Sequence, residues 1–228
     1  MYGKIPILGD FVSRGLPADF IHAWDAWLQD SIAASQQVLG TEWLDIFLTS
    51  PIWRFCLSSG VCGEKAWAGV LIPSVDRVGR YFPLTLAVSI SEKTTVSRLL
   101  IQAGKWFEQV ENIALSALQD DFDMSRFDEE RHHIHFPVIR PYDGCQNNPE
   151  GALYVDMETM GGTEQALADL SSGLMDKFMT EYSIWTTAGS KDVRPCLRVY
   201  ELLPPASAFS TFLTDGTNTI RENRIEPN

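Results

Sequence analysis

Asp76, Arg77 and Arg80 stand within five residues of one another in the segment from Pro73 to Leu84. One acid and two arginines in so short a connector can do two kinds of work. They can pair internally and fix a turn, or a guanidinium can grip a carboxylate or phosphate bidentately with its planar fork. Asp10 and Arg14, in a glycine-punctuated stretch near the start, could join them in one polar site. Each group carries a charge that needs a partner, so the N-terminal stretch and the Asp76–Arg80 turn are expected to lie close in space, with Asp10 paired to Arg77 or Arg80. An acid–arginine network of this kind needs no ligand, and it can still shape a surface that a partner reads.

Other constellations are weaker. Gly3, Pro6 and Gly9 before Asp10 and Phe11 lack the Gly-Lys-Ser/Thr ending of a phosphate-cradling loop and the spacing of a dinucleotide fingerprint. Gly9 is read instead as a site of positive φ or of close backbone approach. His132, His133 and His135 fall beside Asp128, Glu129 and Glu130. In an extended segment His133 and His135 would share a face and His132 would point away, which suits a polar strand or loop better than a metal site. Ser74 follows Pro73 without the Gly-x-Ser-x-Gly elbow of a serine nucleophile, and Cys62 has no histidine near it in sequence. No cofactor is expected. Seven tryptophans, most of them on apolar stripes, are read as core, although an exposed one would serve as a partner anchor.

The elements that must hold these groups follow from periodicity. The charged connector lies between Trp67–Ile72 and Leu84–Ile90, two short apolar runs that read as buried strands. Ile52–Leu57 precedes them, and the three suggest an antiparallel meander. Upstream, a short extended segment leads to a helix that begins at Leu16–Asp19. Its apolar stripe is Phe20, Trp24, Trp27, Leu28 and Ile32, and Gly40 stops it. Thr41 is read as the N-cap of a shorter helix ending near Leu48. A single long helix is expected from Thr94 or Thr95 to about Leu118. The polar stretch 119–131, with the loops at 142–144 and 147–149, is read as a surface insertion or mobile segment. A strand at Ala152–Val155, a helix from Glu164 to Met179 interrupted at Ser171–Gly173, strands at Tyr182–Thr186 and Cys196–Tyr200, and a last short helix after Pro204–Pro205 complete the chain. Strand and helix signals interleave, so a mixed sheet with helices on both faces is expected.

The 228 residues suffice for one large domain, and 45% of them are hydrophobic, enough for a sizeable core. A formal net charge of -12 makes nucleic acid and anionic membrane surfaces poor partners. The four cysteines form no Cys-x-x-Cys pair, and scattered apolar thiols suit a reducing compartment. The N-terminus has no apolar core of a secretory signal, and no run is long enough to span a bilayer. A soluble cytoplasmic protein is expected.

Several stretches together resemble the TagF/ImpM family that accompanies bacterial type VI secretion systems. They are Gly3-Lys4-x-Pro6 with Gly9-Asp10-Phe11, Arg14-Gly15-Leu16-Pro17, Trp24-Asp25-x-Trp27-Leu28, Pro51-x-Trp53-Arg54-Phe55, Gly60-x-Cys62-Gly63, and Gly69 through Leu84. The resemblance is dense over the first ninety residues. It returns at Ser183–Thr186 and Leu202–Pro205, with Thr186 where the family tends to have an aromatic and Leu202 where it tends to have glycine. It implies a three-layer α/β sandwich with a mixed, largely antiparallel sheet, a single domain over residues 1–214 and a frayed tail over 215–228. It also implies a non-enzymatic repressor of type VI secretion that binds a cytoplasmic forkhead-associated scaffold protein, without membrane insertion. Its motif network would comprise Gly9, Asp10, Phe11, Arg14, Ser74, Asp76, Arg77 and Arg80. Two alternatives stay open: a small hydrolase or phosphate-ester enzyme using Asp10 or Asp76 with the arginines, and a structural subunit of the apparatus itself.

Overall fold

A computed structural model describes residues 1–90, 96–139, 145–147, 153–155 and 162–215. Its centre is a seven-stranded sheet built from β1 (Tyr2–Gly3), β2 (Val12–Ser13), β3 (Trp53–Leu57), β4 (Ala66–Ile72), β5 (Leu84–Ile90), β8 (Tyr182–Thr187) and β9 (Cys196–Glu201). The order is β2-β1-β5-β4-β3-β8-β9, and every pairing is antiparallel. The meander β3-β4-β5 forms the middle, with a hairpin added at either edge. A separate two-stranded ribbon pairs β6 (Cys145–Asn147) with β7 (Leu153–Val155). Asn147, expected in a loop, instead ends β6 opposite Leu153, whereas the expected Ala152 and the loop residues 142–144 and 148–149 lie outside the described residues, as do Thr94, Thr95 and the tail from 216 onward.

The alternation of side chains along the strands creates two cores. In β4 all seven residues are buried. Ala66, Ala68, Val70 and Ile72 face one layer, and Trp67 and Leu71 face the other. The first layer packs under α3 (Val96–Gln102), α4 (Gly104–Ser116) and α5 (Met124–His133). The second packs under α1 (Ala18–Leu39), α2 (Trp43–Leu48) and the short α7 (Ser210–Leu213). The architecture is therefore the expected α/β sandwich in three layers, but the sheet is antiparallel throughout the described residues rather than mixed, because hairpins and the long return from α6 (Thr163–Phe178) bring in each new strand against its neighbour's direction. Small residues line one face of β4 and large aromatics fill the other, where Trp24 lies 4.6 Å from Phe55 and 5.9 Å from Trp185, ring centre to ring centre. Among the described residues no helix is long and apolar enough to cross a membrane.

Four local expectations are corrected. The helix expected to run unbroken to Leu118 is two helices, α3 and α4, with a break at Ala103 (φ -103°, ψ 20°). The polar stretch read as an insertion contains α5. Asp123 caps that helix by accepting from the Arg126 amide at 2.8 Å, Phe127 anchors it in the core, and Arg131, His132 and His133 sit in its last turn at the negative dipole end. The helix α6 (Thr163–Phe178) runs through Ser171–Gly173 without interruption, and the Ser171 hydroxyl bonds the Leu167 carbonyl one turn back. Thr41 lies inside a 3-10 turn (Gly40–Glu42) that leads straight into α2, so it caps nothing.

Candidate docking site at the N-terminal hairpin

The connector between β4 and β5 is a tight hairpin. Val75 bridges Tyr81, the Asp76 amide donates to the Arg80 carbonyl at 3.0 Å, and the Gly79 amide donates to the Asp76 carbonyl at 2.9 Å. Gly79 has φ +84°, a left-handed conformation in which glycine alone is at ease. The Asp76 side chain turns inward, and the residue is only 3% exposed. Its Oδ1 accepts from the Val78 amide (3.0 Å) and the Arg80 amide (2.9 Å). Its Oδ2 accepts from Lys4 Nζ and Arg80 Nε, both at 2.7 Å. Burial alone would raise this carboxyl, but the hydrogen bonds from Lys4, from Arg80 and from the Val78 amide outweigh it and hold the group well below the usual carboxylate range.

The N-terminal segment locks onto this turn at four further points. Ser74 Oγ donates to the Lys4 carbonyl (2.8 Å), and the Arg77 amide donates to the Leu8 carbonyl (3.0 Å). The Arg80 guanidinium donates to the Gly9 carbonyl (2.6 Å). Gly3 (φ +137°) lies so close to Pro83 and Leu84 that a Cβ would collide with the Pro83 carbonyl oxygen. The close approach expected of Gly9 thus belongs to Gly3: Gly9 has no positive φ, and a Cβ there would meet only the Arg77 side chain at an ordinary 3.7 Å.

Lys4, only 4% exposed, is the member the sequence did not single out. A buried ammonium is tolerated because Asp76 faces it and the Phe11 ring lies 5.0 Å away on another side. The one available signal was its place in Gly3-Lys4-x-Pro6, which says nothing about burial.

The structure does not bring all the expected residues together. Asp10 is exposed, and among the described residues no ion pair joins it to Arg77 or Arg80; Arg80 takes Asp76 and the Gly9 carbonyl instead. Arg14 pairs with Asp128 of α5, away from the turn. The histidines are at the end of α5 (His132 and His133) and just beyond it (His135), not along one extended strand. Among the described residues no cluster of three potential metal ligands occurs. Ser74 is buried and engaged with Lys4. Cys62 is a buried free thiol, pushed up to about 12 by burial and secondarily by Asp19. It is a poor nucleophile at neutral pH.

What remains outward is a small surface of mixed character. Phe11 is 46% exposed, its ring stacked on Tyr2 and set edge-on to Phe82 at 4.8 Å. Val78 is 66% exposed at the turn tip, beside the exposed Arg77. Asp10, Asp76, Arg77 and Arg80 line neither the cavity beside Val88 and Trp106 nor the smaller ones beside Phe127 and Phe212.

Residues 1–134 match the family described as TagF N-terminal domain, type VI secretion system-associated. No curated protein matches the chain. The crystal structure of PA0076 from Pseudomonas aeruginosa PAO1 is similar over 100% of this chain and 96% of that one, with a TM-score of 0.77 and 38% sequence identity.

Proposed function

This chain belongs to the TagF family of type VI secretion system-associated proteins, and from that premise we propose that it is a non-enzymatic cytoplasmic repressor. It would bind the forkhead-associated scaffold protein of the system and withhold it from the assembling machine by mass action. The observation that carries the reading is the state of Asp76. A general acid or base needs lone pairs or a proton within reach of a substrate, whereas Asp76 is buried and already accepts four hydrogen bonds. Its partners fasten the N-terminal segment in place and leave Phe11, Arg77 and Val78 outward on a preformed support. Aromatic and arginine side chains on a rigid base are the usual anchors of protein interfaces.

The test is a binding titration of the full chain against the purified scaffold, in parallel with a secretion assay in the host. Arg77→Ala should weaken binding roughly 30-fold, the equivalent of about 2 kcal/mol for an arginine anchor, and should release secretion. Its thermal unfolding should be unchanged. Wild-type protein that neither binds the scaffold nor lowers secretion refutes the repressor reading. Substrate turnover abolished by the same substitution would favour the enzyme.

A further inference from the structure

Among the described residues one row of the central sheet is only partly filled. β1 meets β5 only at its start, where Tyr2 stands opposite Thr85. Farther along, Leu86 to Ile90 pair with Val70 to Ala66 of β4 on one side. On the other side no strand pairs with them among the described residues. Among the described residues Ala87 to Ile90 thus have no strand on this side, in the row that β1 occupies only in part, and the amides and carbonyls that alternate residues turn toward it are a template for another strand.

A cavity of about 160 Å³ opens onto this edge. Val88 of β5 forms part of its floor, and Trp106, Val110 and Ile113 of α4 form a wall. The volume is close to the roughly 150 Å³ known to accept a single benzene ring, so one aromatic or branched aliphatic side chain fits. Arg14 and Arg131, both exposed, also line it, as do Met1, Ile134 and Phe136. The two arginines pair with the same carboxylate, Asp128, which leaves a surplus of positive charge there in a chain whose net charge is -12.

We propose that this slot binds an extended, acidic segment of a partner protein by strand addition to β5. Side chains alternate along an added strand, so a residue opposite Val88 points into the cavity while the main chain satisfies the open edge. Acidic residues flanking it meet Arg14 and Arg131. A second copy of this chain is a poorer occupant, because pairing two such edges would bring two basic rims together. The proposal stands on the edge and the cavity, and holds whether or not the scaffold is the partner.

The probe is a synthetic ten-residue peptide of alternating Thr and Val with a central Leu and two Glu at each end. It is titrated against the full chain by fluorescence polarisation. Two controls accompany it: the same peptide with Lys ends, and one with Pro on both sides of the Leu. The acidic peptide should bind at least about tenfold more tightly than the Lys version, and the Pro version should not bind. Binding should slow amide hydrogen exchange within Leu86–Ile90. The double substitution Arg14→Gln/Arg131→Gln, at half-exposed positions, should abolish the charge preference, and loss of the two exposed pairs with Asp128 should lower the melting temperature by no more than a few degrees. Three results would overturn the proposal. One is no binding of the acidic peptide at millimolar concentration, and another is equal affinity for all three peptides. The third is an unliganded protein whose Leu86–Ile90 amides are already fully protected, which would mean that this chain's own residues or a second copy fill the slot. Sedimentation would tell those last two apart.

Discussion

The Trp24 indole offers a clean test of how the layers are tied. Its Nε1–H donates to Thr85 Oγ1 at 2.8 Å, both residues are fully buried, and the bond joins α1 to β5 at the position where Tyr2 of β1 pairs. Thr85→Val conserves volume and removes only the acceptor. The indole N–H then stays buried without a partner, which costs about 1–3 kcal/mol. In a chain of this size each kcal/mol lowers the melting temperature by roughly 2–4 °C, so a fall of about 2–12 °C is expected. Trp24→Phe also destabilises, because it orphans the hydroxyl and leaves part of the indole volume empty among Phe20, Trp27, Phe55 and Trp185. The informative quantity is the coupling. With both polar groups gone, neither is left unsatisfied, so the double variant should be more stable than the sum of the singles by about 1–3 kcal/mol. Urea unfolding of the four proteins measures it. A Thr85→Val protein within about 0.5 kcal/mol of wild type, or additive single effects, would refute the claim that this bond holds helix to sheet.

Two other outcomes follow from the site and a third from the end of β9. The depressed Asp76 carboxyl stabilises the fold fully above the unfolded value, near pH 4, and that contribution drains away as pH falls toward the folded value. Melting temperatures recorded from pH 6 down to pH 2 should fall steeply for wild type and less steeply for Asp76→Asn, which starts lower; parallel curves would contradict the assignment. Gly3→Ala should destabilise the protein and detach the N-terminal segment, since a Cβ at φ +137° collides with the Pro83 carbonyl, and faster proteolysis before Val12 would report it. Leu202 has φ +59°, in the left-handed region that favours glycine. Leu202→Gly should match or exceed wild-type stability, because relief of about 1–2 kcal/mol of left-handed strain offsets the extra freedom of the unfolded glycine. Leu202→Val, β-branched, should lower stability; the opposite order in urea unfolding would show the strain to be absent.

The meander strands β3, β4 and β5 were legible because each is a short apolar run bounded by proline or glycine, whereas β2 and β6, two and three residues long and partly polar, gave no such run. α5 was not, because one buried aromatic, Phe127, in a decapeptide of acids, arginines and histidines gives almost no stripe; its cap at Asp123 and its basic last turn were the faint signals. The break at Ala103 was hidden because apolar periodicity continues across it. At the site, the sequence shows which residues are charged but not which carbonyls they find. Asp10 and Arg80 looked like partners, yet Arg80 reaches the Gly9 main chain, one residue short. Lys4 was missed because a lysine buried against a carboxylate looks like any surface lysine until the fold closes over it.

Gly3 and Lys4 connect the two surfaces proposed above. Gly3 of β1 presses against Pro83 and Leu84, and Lys4, the next residue, delivers the ammonium to Asp76; together they fix the turn that carries Arg77 and Val78. They also set how much of β5 is covered, since the open edge begins where the pairing of Tyr2 with Thr85 ends. The turn and the slot therefore share one positioning element, although they recognise different chemistry: an exposed arginine with aromatic and aliphatic neighbours in one, an open main chain above an apolar cavity with a basic rim in the other. A substitution confined to the turn tip, such as Arg77→Ala, touches neither β1 nor the cavity and should leave peptide binding at β5 intact. Loosening β1 at Gly3 disturbs both, because the hairpin that fastens the turn is also the upper boundary of the slot.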